Sequence, residues 1–219
     1  MEICIAGDSW GLGEWGMFPG CDTPVILHKG LEQFFSENGN IVKNISQGGI
    51  ANKTSIQLLS EITNVDYIFW LQTDPLRDLA PYELFNHALT YEKLVDLSNE
   101  LIDQSYADIN AMNKIVYCIG GCSKLNLSLI SKYKNLIPLI PSIPEMFIHN
   151  FTHPGIWQSD WSKLIGHQFS LDSLYKLTRD KEFQDILFDE KDLFWPDGRH
   201  LNRHGHKKLH DFICTTLNL

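Results

Sequence analysis

The segment 66–71 does most to restrict the fold. Tyr67, Ile68, Phe69, Trp70 and Leu71 are apolar at consecutive positions. This is neither the alternation of a half-exposed strand nor the spacing of an amphipathic helix. Such a run fits a β-strand covered on both faces, the setting of a parallel sheet between layers of helices. Similar short runs recur at 2–6, 41–45, 114–119 and 136–140. Helical patterns alternate with them. One is expected from about Val25 to Glu37, with Leu27, Leu31, Phe34 and Phe35 on one face. A second is capped by Asn52 or Thr54, a third runs from about Tyr91 to Met112, and a fourth from about Arg203 to Leu217 buries Leu209, Phe212, Ile213 and Leu217. The alternation predicts an α/β fold with a parallel sheet of about five strands.

The chain has 219 residues and shows no repeat, low-complexity tract or linker, so a single domain over 1–219 is expected. Its net charge of -9 argues against a nucleic-acid backbone or an anionic membrane as the main partner. The N-terminus lacks the basic lead and long apolar stretch of a signal peptide, and no segment reaches the length of a membrane span. A cytoplasmic location is the expectation. The five cysteines are odd in number and lack zinc spacing, which fits free thiols.

Chemistry concentrates at the two ends. The first strand breaks at Gly7-Asp8-Ser9 and presents a hydroxyl, while Asp197 and His200 stand three residues apart near the other terminus. Ser, His and Asp are the set that acyl transfer needs. Asp8-Ser9 reads equally as the cap of a following helical turn. Gly48-Gly49 and Asn52 follow the second strand, either as oxyanion donors or as a turn with an N-cap. After the third strand, Gln72 and Thr73 offer further donors, and Arg77 is expected to pair with Asp74 or Asp78. Trp10 and Trp15 are placed to line the site. His204, His206 and His210 lack an acid or cysteine to complete a metal set, so a solvated or capping role is expected for them. Phe151, His153, Trp157, Trp161 and His167 make an aromatic-rich insert of about 147–191, suited to sugars or acyl chains or to capping the core.

Taken together these blocks resemble the GDSL/SGNH-type hydrolases, a family of serine esterases, lipases and carbohydrate deacetylases. Gly7-Asp8-Ser9 matches the first block, Gly49 the second, and Asp197-Gly198-Arg199-His200 the last. Order and spacing agree over nearly the whole chain. The third block departs: Gln72-Thr73-Asp74-Pro75 stands where the family has Gly-x-Asn-Asp, so Asp74 replaces an amide, and a carboxylate donates only when protonated. The resemblance implies a three-layer α/β/α sandwich of flavodoxin-like type and a serine hydrolase that needs no metal or cofactor. Its substrate would be a small-molecule or carbohydrate ester, with Ser9, Asp197 and His200 catalytic and with Gly49, Asn52, Gln72, Thr73 and Trp10 around the oxyanion and substrate. The alternative is a catalytically weak or inactive binding protein on the same fold.

Overall fold

A computed structural model describes residues 1–16, 25–78, 91–121, 123–148, 192–194 and 200–219. Strand β1 (Glu2–Gly7) leads into the short helix α1 (Ser9–Leu12), then β2 (Glu14–Gly16), β3 (Val25–His28) and α2 (Leu31–Glu37). β4 (Ile41–Asn44), α3 (Asn52–Ser60), β5 (Tyr67–Gln72) and a 3-10 turn (Pro75–Asp78) follow. The remainder is α4 (Tyr91–Ala111), β6 (Val116–Gly120), α5 (Leu127–Ile130), β7 (Leu136–Ile140), α6 (Ile143–Phe147) and α7 (Arg203–Leu217).

The five long strands form one sheet in the order β4-β1-β5-β6-β7, and every pairing in it is parallel. Both faces are covered, which is why the strands read as unbroken apolar runs. Ile3, Ile5, Phe69, Leu71 and Ile119 pack with Leu31 and Phe35 of α2 and Leu209 and Ile213 of α7. On the other face Cys4, Ala6, Ile68, Trp70 and Cys118 pack with Ile56 and Leu59 of α3 and Ile102, Tyr106 and Ile109 of α4. The architecture is the three-layer sandwich expected. β7 lies at an edge, the place in a sheet where a proline such as Pro138 is tolerated. Among the described residues no helix is long and apolar enough to cross a membrane.

Several local expectations need correction. The helix expected from Val25 begins only at Leu31, and Val25–His28 is instead a strand paired antiparallel with β2 in a separate two-stranded sheet. Gly30 causes the break, since its φ of 54° belongs to neither element. Neither Asn52 nor Thr54 caps α3; the cap residue is Ala51, and the Asp78 carboxylate takes the Lys53 N–H from outside at 2.7 Å. Phe212 is not buried but 37% exposed. The aromatic insert of about 147–191 lies almost wholly outside the described residues.

Candidate active site

Parallel strands carry their connecting loops to a common rim, and ligands of such sheets bind at the carboxyl ends. β1, β4 and β5 all end there. Gly7 exits β1 with a φ of 144°, so close to β5 that a Cβ would lie 2.6 Å from the Leu71 carbonyl oxygen. Only glycine fits that exit. Asp8 then caps α1, its carboxylate accepting from the Trp10 N–H at 3.0 Å, and Ser9 is the first residue of that helix.

The other end of the chain reaches the same rim. Leu201 is fully buried and bridges Phe194. Asn202 caps α7 by accepting from the Gly205 N–H at 3.0 Å. This anchoring sets His200 beside α1, with its Nε2 2.8 Å from the Ser9 Oγ. Trp15 lies against the imidazole with ring centroids 4.7 Å apart, and Trp10 lies at 6.5 Å. Trp10 is itself 4% exposed and packs edge-on against Phe194, so it serves more as a wall than as an open face. Asp197 falls outside the described residues.

Oxyanion donors would come from the backbone. Neither the Ser9 nor the Gly49 N–H donates to another described residue. Gly49 has a φ of 71° in an exposed turn, and the neighbouring Gln47 N–H ties that loop to the Gly7 carbonyl at 3.1 Å.

The side chains expected to supplement these amides are committed elsewhere. The fully buried Gln72 donates to Ser123 Oγ at 2.7 Å and to the Lys124 carbonyl at 3.1 Å, and accepts from the Tyr106 hydroxyl at 2.8 Å. It braces β5 against the loop after β6 and offers nothing to the site. Asn52 is equally buried and pairs with the Thr73 backbone in both directions, donating to its carbonyl at 3.1 Å and accepting from its N–H at 3.0 Å. Thr73 turns its hydroxyl to Asp8, donating at 2.6 Å. Each of the three therefore holds the rim together.

Arg77 pairs with neither Asp74 nor Asp78 through its side chain. Its Nη1 donates to Asp8 Oδ2 at 3.1 Å and to Thr73 Oγ1 at 2.7 Å. Asp8, Thr73 and Arg77 thus form a closed triangle joining the ends of β1 and β5 directly behind Ser9. Sequence reasoning missed it, though a signal existed: a buried carboxylate calls for a cation, and adjacent strands bring Arg77 within reach. Asp74 accepts from the Leu76 N–H at 2.9 Å and so opens the 3-10 turn. Burial pushes its carboxyl above the usual range, and the Asp8 charge adds to this against the opposing Leu76 hydrogen bond and Arg77.

The histidines of α7 also depart from expectation. His204 is exposed, but His206 and His210 are 1% and 3% exposed. His210 meets Asn38, Asp211 and Cys214. His206 packs beside Gly13 and Gly30, its ring nitrogens forming no well-aligned hydrogen bond, and burial holds it down to about 3. Among the described residues no three His, Cys, Asp or Glu side chains are grouped to hold a metal ion.

No family model and no curated protein matches the chain. Solved structures do resemble it. A psychrotrophic esterase from Pseudoalteromonas sp. is 14% identical, with a TM-score of 0.45 over 99% of this chain and 96% of that one. A lipase/acylhydrolase from Enterococcus faecalis is 11% identical, with a TM-score of 0.43 over 99% and 94%. A catalytic mutant of an acetylxylan esterase from Geobacillus stearothermophilus is 12% identical, with a TM-score of 0.42 over 100% and 94%.

Proposed function

We propose that the chain is a metal-independent serine esterase of the SGNH type. It would cleave an acyl or acetyl ester of a carbohydrate or small alcohol through an acyl-enzyme. The observation that carries this reading is the 2.8 Å contact between Ser9 Oγ and His200 Nε2 at the carboxyl rim of the sheet. A serine hydroxyl is a weak nucleophile until a base takes its proton. In the neutral imidazole that accepts from Ser9, the ring proton sits on Nδ1, and Asp197 is assigned the carboxylate that holds it there.

Ser9 Oγ attacks the ester carbonyl carbon as its proton passes to His200 Nε2. The carbonyl oxygen becomes an oxyanion facing the Ser9 and Gly49 N–H groups. The tetrahedral species collapses, His200 returns the proton to the leaving alkoxide, and an acyl-Ser9 ester remains. Water attacks the acyl carbon as His200 takes its proton, and collapse of the second tetrahedral species returns that proton to Ser9 Oγ and releases the carboxylic acid. With two backbone donors and no third amide, the rate would lie about 10²–10³ below that of a complete oxyanion hole.

The second reading, a binding protein on the same fold, draws support from Asp74, a carboxyl where an amide belongs. An alkyl fluorophosphonate separates the two. Stoichiometric labelling of Ser9 by intact mass and peptide mapping, absent in Ser9→Ala, is expected of the esterase. A chain that never labels and hydrolyses neither aryl acetates nor acetylated sugars is not one.

A further inference from the structure

We propose that Trp15 is a positioning residue for this chemistry: its indole supports the His200 ring and stabilises the imidazolium formed when Ser9 gives up its proton. The inference rests on the esterase reading above. Three observations carry it. The two rings lie 4.7 Å apart between centroids at 45°, within the range of attraction between a cation and an indole. Gly48 lies beside the indole, where a Cβ would come 3.3 Å from its Cη2, so the ring sits against the loop after β4.

The third observation concerns the strand that carries it. Successive strand residues point to opposite faces, yet Glu14 and Trp15 both address the segment that bears His200. Trp15 meets His200, and the buried Glu14 lies 3.4 Å from Arg203 Nε at the start of α7. A register shift between Glu14 and Trp15 in the β2–β3 pairing makes this possible. Bulges of that kind re-aim side chains beside active sites. The Trp15 Nε1–H is buried with no acceptor among the described residues. The small second sheet therefore serves to hold one aromatic face under one imidazole.

The rate at which an alkyl fluorophosphonate labels Ser9 gives a readout independent of turnover: Trp15→Leu should slow it about 3- to 10-fold, and Trp15→Phe should restore most of it. Kinetically, Trp15→Leu should lower kcat about 3- to 10-fold with KM within about twofold, and Trp15→Phe, which keeps a π-face, should restore most of it. A Trp15→Leu variant that labels at the wild-type rate overturns the proposal. So does a Leu variant with wild-type kcat, an effect confined to KM, or equal losses in Leu and Phe. A wild type that neither labels nor turns over refutes the esterase reading instead.

Discussion

Removing Arg77 tests whether the triangle behind Ser9 holds the site together. Asp8 is fully buried, and Arg77 Nη1 stands 3.1 Å from its Oδ2. Stripping one partner from a buried ion pair typically costs about 3–5 kcal/mol, because the other charge stays uncompensated. Two features reduce that figure here. The Arg77 side chain is 35% exposed, so water can reach the vacated space, and Asp8 keeps the Trp10 N–H and the Thr73 hydroxyl as donors. The expected loss for Arg77→Leu is therefore about 2 kcal/mol. In a chain of this size that corresponds to a Tm lower by about 4–8 °C, and to a urea midpoint lower by about 1 M at an m-value of about 2 kcal/mol/M. Thr73→Val removes the shared hydroxyl and is expected to cost about 1.5–2 kcal/mol. Because Arg77 bonds both Thr73 and Asp8, the double variant should lose less than the sum of the two. Arg77→Lys restores charge but not the fork, and should recover part of the loss. Urea unfolding followed by far-UV circular dichroism measures all four, and fluorophosphonate labelling follows Ser9 in parallel. A change within about 0.5 kcal/mol for Arg77→Leu, the scatter of an ordinary surface substitution, with unaltered labelling, would refute the reasoning.

Burial pushes the Asp78 carboxyl up to about 6. It thus contributes stability that is complete below about pH 4 and is lost as pH rises through about 6. Asp78→Asn should flatten the urea midpoint between those values, and an unchanged slope would contradict this. His206, held down to about 3, contributes stability that is present above about pH 6.5 and declines as pH falls toward 3. His206→Leu should weaken that acid dependence and leave stability at pH 7 within about 1 kcal/mol of wild type, because no well-aligned hydrogen bond is lost; a loss above about 2 kcal/mol there would count against it. Gly7→Ala forces a Cβ to 2.6 Å from the Leu71 carbonyl at positive φ, and should destabilise by about 2 kcal/mol or more while slowing Ser9 labelling. His200→Asn should abolish ester hydrolysis, because the variant leaves no imidazole to take the Ser9 proton; turnover at the wild-type rate would remove His200 as the base.

The strands of the main sheet were legible because burial on two faces writes an unbroken apolar run, and no helix shorter than three turns competes for it. The last helix was legible by its period. Val25–His28 was not, because Leu27, Leu31, Phe34 and Phe35 fit one helical face across a glycine that in fact reverses the chain. Its partner β2 is three residues long and carries no pattern of its own. Within the site, Ser9 and His200 were visible from residue type and order. The roles of Gln72, Asn52 and Thr73 were not, because a polar side chain after a strand looks the same whether it faces a ligand or a neighbouring loop. Only the three-dimensional path tells which carbonyl each one meets.

Ser9 and His200 are 191 positions apart in the chain yet share a hydrogen bond. Closing so wide a loop is entropically slow, and α7, which directly follows His200, comes after every strand of the main sheet. A refolding molecule can complete all five strands of the main sheet before α7 docks and remain chemically silent. Recovery of fluorophosphonate reactivity should then trail the return of secondary structure. That lag would make the serine's reactivity a reporter of the final docking event and would keep an active nucleophile from emerging on a half-finished chain.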